Sequence, residues 1–388
     1  MKMLVCVAGV LLAGVIGSAS ALLASTVRNS GQEVIAYVFV NNRLIAPGEI
    51  SAKKLTRVNY AFANIKDGVI VEGFDHDKEN FQILNALKAE NPNLKVLVSV
   101  GGWGWSGGFS DAVATKESRK KFVDSAVQFV LTHNLDGLDI DWEYPGQPGA
   151  GNKFRPEDKE NYTLMLKELR ERFDIEGKKL GKHLYTSVAT GANERWMQNT
   201  EMKKVQSYVD SINLMTYDYY SNGPHSTTGH HAPLNTNPAD PKLVSTDNTV
   251  KMNLAAGVQA RKMVLGVPFY GRAWGQVEPT NHGLFQPGEK TTVKADYKSI
   301  TDTLIPGGYV RYWDSKASAP YLYDPASKTF VSYDDPQSIA LKAKYARRHN
   351  LGGMMFWDYQ NDPDEHLLDA VDLGLGIKVV PASAKAAQ

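Results

Sequence analysis

Eight short runs rich in Val, Ile and aromatic residues recur along the 388-residue chain, at 34–39, 58–64, 95–100, 137–143, 184–190, 211–217, 263–269 and 353–357. Amphipathic segments separate several of them, at 78–90, 116–133, 157–173 and 337–349. Within 116–133, Phe122, Ala126, Phe129 and Val130 fall on one face, the spacing of a helix that packs against a sheet. Strand followed by helix, eight times over, confines the chain to the α/β class with a parallel sheet, and eight such units close into a (β/α)8 TIM barrel. That fold needs about 250 residues, so this chain carries additions. The gap between the seventh and eighth runs is longer than one helix and two loops require. Its excess, 275–333, is rich in Tyr, Pro and Gly and is expected to form a small α+β insertion between strands 7 and 8. The barrel itself is then expected from 22–274 and 334–377.

The first residues, MKMLVCVAGVLLAGVIGSASALLAS, place one lysine before an apolar run and end on the small residues Ala19, Ser20 and Ala21. This is the pattern of a secretory signal peptide, expected over 1–21, and implies a secreted protein, extracellular or periplasmic. The run continues through Leu22, Leu23 and Ala24, reaching the ~20 residues of a membrane span, so an uncleaved anchor is the alternative. Cys6, the only cysteine, lies inside this segment, leaving the exported part without a disulfide or a thiolate metal ligand. The Ala/Ser/Lys run within 378–388 is expected to be a disordered tail. A net charge of +1 argues against a nucleic-acid partner and for a neutral substrate. A monomer without a cofactor or a membrane partner after signal cleavage is expected.

The segment DGLDIDWEYP, at 136–145, sets an acid at every second position. On a strand Asp139, Asp141 and Glu143 share one face while Leu138, Ile140 and Trp142 share the other. Neighbouring carboxylates repel, and burying them unpaired is costly, so stability alone would hardly select this row. A solvated edge strand is the plain alternative; the apolar flanks and Pro145 suit the end of a buried strand better. Enzymes of the barrel class work at the C-terminal ends of their strands, and Glu143 lies at such an end.

Other signals are weaker. Gly102-Trp103-Gly104-Trp105-Ser106-Gly107 follows a strand and matches G-x-G-x-x-G, but no helix and acid follow at dinucleotide spacing. Trp103, Trp105, Trp274 and Trp357 fall at or beyond strand ends, where aromatic faces can stack on sugar rings; Trp142 reads as core. His230 and His231 are adjacent and would face opposite ways. Three acids from one strand make a poor cage for Mg²⁺ or Ca²⁺, so no metal site is expected.

With these residues in view the chain resembles the family 18 glycoside hydrolases, the chitinases, in their bacterial form with an inserted α+β subdomain. DGLDIDWEYP matches the D-x-x-D-x-D-x-E signature, and Ser99-Val100-Gly101-Gly102-Trp103 matches S-x-G-G on the third strand. Met215-Thr216-Tyr217-Asp218, GVPFYGRAW at 266–274 and GGMMFWDY at 352–359 match the sixth-, seventh- and eighth-strand motifs. The resemblance implies hydrolysis of β-1,4 bonds in chitin and N-acetylglucosamine oligosaccharides with retention, the substrate's own acetamido oxygen acting as nucleophile. It further implies Glu143 as acid and base, Asp141 as partner of the acetamido N–H, and Asp139 beneath, sharing a proton with Asp141. Tyr37 and Ser99 would bond Asp139, and Tyr217 the acetamido carbonyl. Asp218 and Met215 would line the same pocket, with Trp357 as its floor, Tyr270 and Arg272 nearby, and Trp103 among the sugar-binding aromatics.

After the sixth strand many relatives carry a tryptophan following Gly-Pro, where this chain has His225 after Gly223-Pro224; Tyr220 or His225 is the candidate substitute. Two rival functions attach to the resemblance. One is a lectin-like protein that binds chitin without cutting it, against which the intact Glu143 argues. The other is an endo-β-N-acetylglucosaminidase or peptidoglycan-directed enzyme, against which the insertion argues. Endo action on chitin is the expectation.

Overall fold

A computed structural model describes residues 31–377; the signal segment expected over 1–21 and the tail from 378 lie outside them. Eight parallel strands form one sheet: β1 (Glu33–Phe39), β2 (Arg57–Lys66), β3 (Lys95–Gly101), β4 (Gly137–Asp141), β5 (Tyr185–Thr190), β6 (Ser211–Leu214), β7 (Met263–Pro268) and β8 (Gly353–Trp357). Each pairs with its sequence neighbour and β8 with β1, so the sheet closes on itself as the repeat count requires. A short strand, Val69–Val71, turns back on the end of β2.

The main helices on the outside are α1 (Asp77–Ala86), α2 (Lys116–Thr132), α3 (Asp158–Leu180), α4 (Thr246–Ala255), α5 (Pro336–Arg348) and α6 (His366–Leu375). α2, α4 and α5 start where a side chain satisfies one of the first free amides. Thr115 with Ser118, and Asp335 with Ser338, cap α2 and α5 reciprocally, and Pro336 begins α5. Gly181 ends α3 with φ 65°, a conformation that glycine adopts without strain. Outward strand positions such as Val58, Tyr60, Val96, Val98, Leu138 and Ile140 merge with the helix faces into one large apolar core.

The inward positions are different. Barrel interiors are ordinarily filled with layers of branched apolar residues. Here one side is apolar, with Ile35, Val264 and Met355 around Tyr37. The other holds Arg57, Asn59, Ser99, Asp139, Ser187, Ser211 and Asn213, all buried.

Between β7 and β8 the chain builds a second, antiparallel sheet from Arg272–Gly275, Pro287–Lys290, Val310–Asp314, Ala319–Asp324 and Thr329–Ser332. Its last strand is Ser226–Thr227, from the connection after β6. Trp274, Tyr321, Tyr323 and Phe330 fill a small core of its own. At the base, Asp334 and Lys342 of α5 form an ion pair at 2.5 Å with both side chains wholly buried.

Candidate active site

The acid row lies in a central strand. β4 runs between β3 and β5 with every residue buried, which excludes the solvated edge strand. Strand pairing places Ser99, Asp139 and Ser187 side by side and sets Gly101 beside Asp141. Gly101 has φ 106°, and a Cβ there would stand 2.3 Å from the carbonyl oxygen of Asp141. No other residue lets β3 pass so close to the row.

Asp139 is the deepest acid. Tyr37 Oη (2.9 Å) and Ser99 Oγ (2.8 Å) donate to its Oδ2, and Ser187 Oγ (2.5 Å) and Asn213 Nδ2 (3.2 Å) to its Oδ1. Burial pushes its carboxyl up, while these donors and the Arg57 guanidinium pull the other way. Both oxygens of Asp139 are thus engaged by donors from four other strands or strand ends. Among the described residues Asp141 Oδ1 is buried without a hydrogen-bond partner. Burial, then Glu143 and Asp139, raise the Asp141 carboxyl well above the usual range.

Glu143 sits two residues past Asp141, at the strand's end, where Ser106 Oγ accepts its backbone N–H at 2.9 Å. Burial pushes its carboxyl up to about 7, with Asp218 adding to the rise and Tyr144 opposing it. Asp218 is the opposite case. Burial works against its charge, but His231 and Arg272 hold its carboxyl far below the ordinary carboxylate range. Arg272 Nε and Nη2 donate to its two oxygens at 2.7 Å each, Tyr270 Oη adds a third bond at 2.7 Å, and His231 Nδ1 stands at 3.5 Å. A bidentate guanidinium of this kind is a strong, oriented clamp.

Above the row opens a cleft of about 1080 Å³. It is lined by Tyr37, Asp141, Glu143, Met215, Tyr217, Asp218, Tyr270, Arg272, Trp103, Trp105 and Trp357. Ser99 and Asp139 lie beneath it. Trp357 packs face to face on Phe62 (centroids 5.3 Å apart, 20° between planes) and tilts against Tyr37 and Phe39, which fixes a flat apolar floor. Trp103 is 56% exposed at the rim, in edge contact with Tyr144.

Two expectations fail. Trp274 is not in the cleft: it is wholly buried in the second sheet, its indole N–H bonded to Ser226 Oγ at 2.8 Å. The strand pleat points it into the sheet's own core. Tyr220 is also buried, bonded to Asp240, so it cannot present a face to a sugar; His225 is exposed and paired with Glu289 at 2.8 Å. The lining from this loop comes from Tyr219, Ser221 and Asn222 instead. Trp142 is core, stacked on Phe109. His230 and His231 do face opposite ways, toward Asp314 and Asp218. Among the described residues no group of three His, Cys, Asp or Glu is arranged to hold a metal ion.

A closed parallel barrel with a buried acid row at its C-terminal mouth, under an aromatic cleft, is the class that fold and site define. Residues 29–362 match the model of glycosyl hydrolases family 18, and the chain belongs to that family. It is 41% identical over 326 residues to chitinase A1 of Niallia circulans, covering 79% of this chain and 46% of that protein, so it spans about half the length of that relative. It is 30% identical to chitinase B of Serratia marcescens over 83% of this chain and 76% of that one. The solved family 18 N-acetylglucosaminidase of Paenibacillus barengoltzii superposes with a TM-score of 0.81 at 40% identity, covering 88% of this chain and 99% of that chain.

Proposed function

We propose that this chain is a retaining chitinase that cuts β-1,4 bonds between N-acetylglucosamine units, the acetamido group of the substrate serving as nucleophile. One observation carries the reading: three carboxyls at the cleft floor stand in surroundings that push their ionisation apart. Glu143, raised to about 7, keeps a proton at neutral pH and can give it to the leaving oxygen. Burial, then Glu143 and Asp139, raise Asp141 too, which disfavours its anion in the free enzyme. Asp218 is ionised, but the Arg272 fork and Tyr270 occupy its oxygens. A protein nucleophile in a retaining glycosidase must be an ionised and unencumbered carboxylate, whereas here the anions of Glu143 and Asp141 are disfavoured and Asp218 is clamped; family 18 stands among the substrate-assisted exceptions to the two-carboxylate scheme.

The roles follow from position. Glu143 protonates the leaving oxygen and then takes a proton from water. Asp141 accepts the acetamido N–H and balances the positive oxazolinium, with Asp139 below it as the fixed end of the row. Tyr217 donates to the acetamido carbonyl, and Met215 and Asp218 close that pocket. Trp357 supports the distorted sugar, Trp103 offers a stacking face at the rim, and Tyr270 and Arg272 hold Asp218.

Because the acetamido oxygen is the nucleophile, the sugar on the non-reducing side of each cut must be acetylated. Digestion of a partly acetylated polymer in ¹⁸O-water should therefore place N-acetylglucosamine at every new reducing end, read by mass spectrometry. Glucosamine appearing there in proportion to its share of the polymer would defeat the reading. The same time course separates modes of attack. We propose endo action, supported by the size and open lining of the cleft, and expect intermediate oligomers early. The likeness to an N-acetylglucosaminidase favours an exo reading, which predicts monomer from the first minutes.

The pH profile should follow Glu143. The useful form is the protonated one, so kcat/KM on a soluble oligomer should hold up to neutrality and fall as pH rises through about 7. A basic limb near the ordinary glutamic value would remove Glu143 from the acid's role. We also propose export, on the apolar run that precedes Ala21. No helix among the described residues is long and apolar enough to cross a membrane.

A further inference from the structure

Below the acid row the barrel holds a guanidinium that the mechanism above does not use. Arg57 is 1% exposed on the inner face of β2. Its Nη2 donates to Ser211 Oγ at 2.7 Å and to Asn213 Oδ1 at 3.3 Å. Asn213 in turn donates to Asp139 Oδ1 at 3.2 Å and to Tyr37 Oη at 3.0 Å. Arg57 and Asp139 therefore grip the two ends of one side-chain amide. On its other side Arg57 Nη1 lies 3.4 Å from Glu33 Oε2, and that carboxylate is 37% exposed at the barrel's lower end. Arg57 Nε finds no acceptor among the described residues. A buried guanidinium so incompletely paired is a poor stabilising device, which makes its placement beneath three acids informative.

We propose that Arg57 is a positioning residue for the reaction: through Asn213 it orients Asp139 beneath Asp141. The inference rests on the reading of the acid row given above. With Asp139 held in one orientation beneath it, Asp141 meets the acetamido N–H as the upper member of a fixed pair of carboxyls, each disfavouring the other's anion. Other charged and titratable groups face the pair from several strands. They are Glu33 of β1, Tyr37 of β1, Asp141 of β4, and Tyr185 of β5, whose ring lies under Lys95. Asp136 and Asp210 bear on Tyr185, and Tyr162 of α3 feels Asp139 and Asp141 from behind. Glu33 is the group whose charge can be changed without touching the cleft.

Three variants test the proposal. Arg57→Met removes a positive charge, so every acid in the row becomes harder to ionise. Both limbs of the kcat/KM profile should move up by about one pH unit, the size expected for one charge several ångströms away at the effective dielectric of a protein interior. Its kcat should fall about tenfold with KM changed less than about twofold. Arg57→Lys keeps the charge and should return both limbs to their wild-type positions. Glu33→Gln removes a negative charge at the surface and should move the limbs down. A ¹³C-carboxyl NMR titration, assigned with Asp139→Asn, reads the Asp139 ionisation directly and needs no turnover. Active enzyme whose limbs and Asp139 titration stay fixed in both Arg57→Met and Glu33→Gln would show Arg57 to be a scaffold contact, leaving the chitinase reading intact. An opposite sign in Glu33→Gln would overturn the proposal even if Arg57→Met fails to fold. Wild-type protein without turnover would instead count against the chitinase reading itself.

Discussion

Glu143→Gln should lower kcat on chitin oligosaccharides by ~10²-fold or more while leaving their affinity within about tenfold of the wild type. The amide keeps the shape of the carboxyl but has no acidic proton for the leaving oxygen. The main chain at this position is held independently of the side chain, since Ser106 Oγ accepts the Glu143 N–H at 2.9 Å. The floor at Trp357 and the clamp on Asp218 do not depend on the carboxyl either, so the cleft should keep its form. Steady-state rates together with calorimetric titration of an oligosaccharide measure both halves of the expectation. Near-normal turnover by the folded variant would remove Glu143 from the acid's role, and loss of binding in step with rate would point to a collapsed site.

The second large effect concerns stability. Lys342 and Asp334 are paired at 2.5 Å with no solvent exposure on either side chain, and Asp334 also accepts Ser338 Oγ at 2.7 Å. Lys342→Met would leave the carboxylate buried with one hydroxyl for company. Removing one member of a buried pair typically costs about 3–5 kcal/mol, because the remaining charge keeps its desolvation penalty and loses its compensation. Replacing both members with apolar residues of similar size should recover most of that loss. Urea unfolding of Lys342→Met and of Lys342→Met with Asp334→Leu measures the contrast. A single-variant loss under about 1 kcal/mol, or no recovery in the double variant, would mean that the pair is not what holds α5 to the chain entering it.

Much of this was legible because barrel strands announce themselves by composition and period. All eight expected runs coincide with barrel strands, and the acid row lies where alternation along 137–143 places it. Boundaries were less legible. β6 ends at Leu214, three residues short of the expected end, since beyond it the chain leaves the sheet to carry Tyr217 and Asp218 into the cleft. α3 runs on to Leu180, past the expected end at 173; its last turns are polar, so periodicity gives out before the hydrogen bonding does. Ser187, Asn213 and Arg57 were missed altogether. Each lies in a strand with other polar residues and belongs to no motif, and its importance comes from partners 48, 74 and 156 positions away. Only strand register, which sets Ser187 beside Asp139, brings that out. Trp274 was misread for a related reason: it ends an expected strand motif, but the pairing that turns it inward involves a sheet whose strands come from distant segments.

The strand at Ser226–Thr227 makes the second sheet something other than a removable cassette. It pairs with Pro287–Lys290. Its neighbour Thr228 donates to Gly283 O at 2.6 Å, and His230 and Asn237 both reach Asp314, at 3.0 and 2.7 Å. These ties come from the loop that follows Asp218, so the wall of the cleft at 218–222 and the added sheet are sewn together by a segment translated before the rest of that sheet. Excising 275–333 and rejoining the ends would leave that segment with unmet donors and an exposed tryptophan. A lineage wanting a shallower groove would have to rewrite two stretches of gene in concert, and a protein engineer grafting this sheet onto another barrel must carry the earlier loop with it.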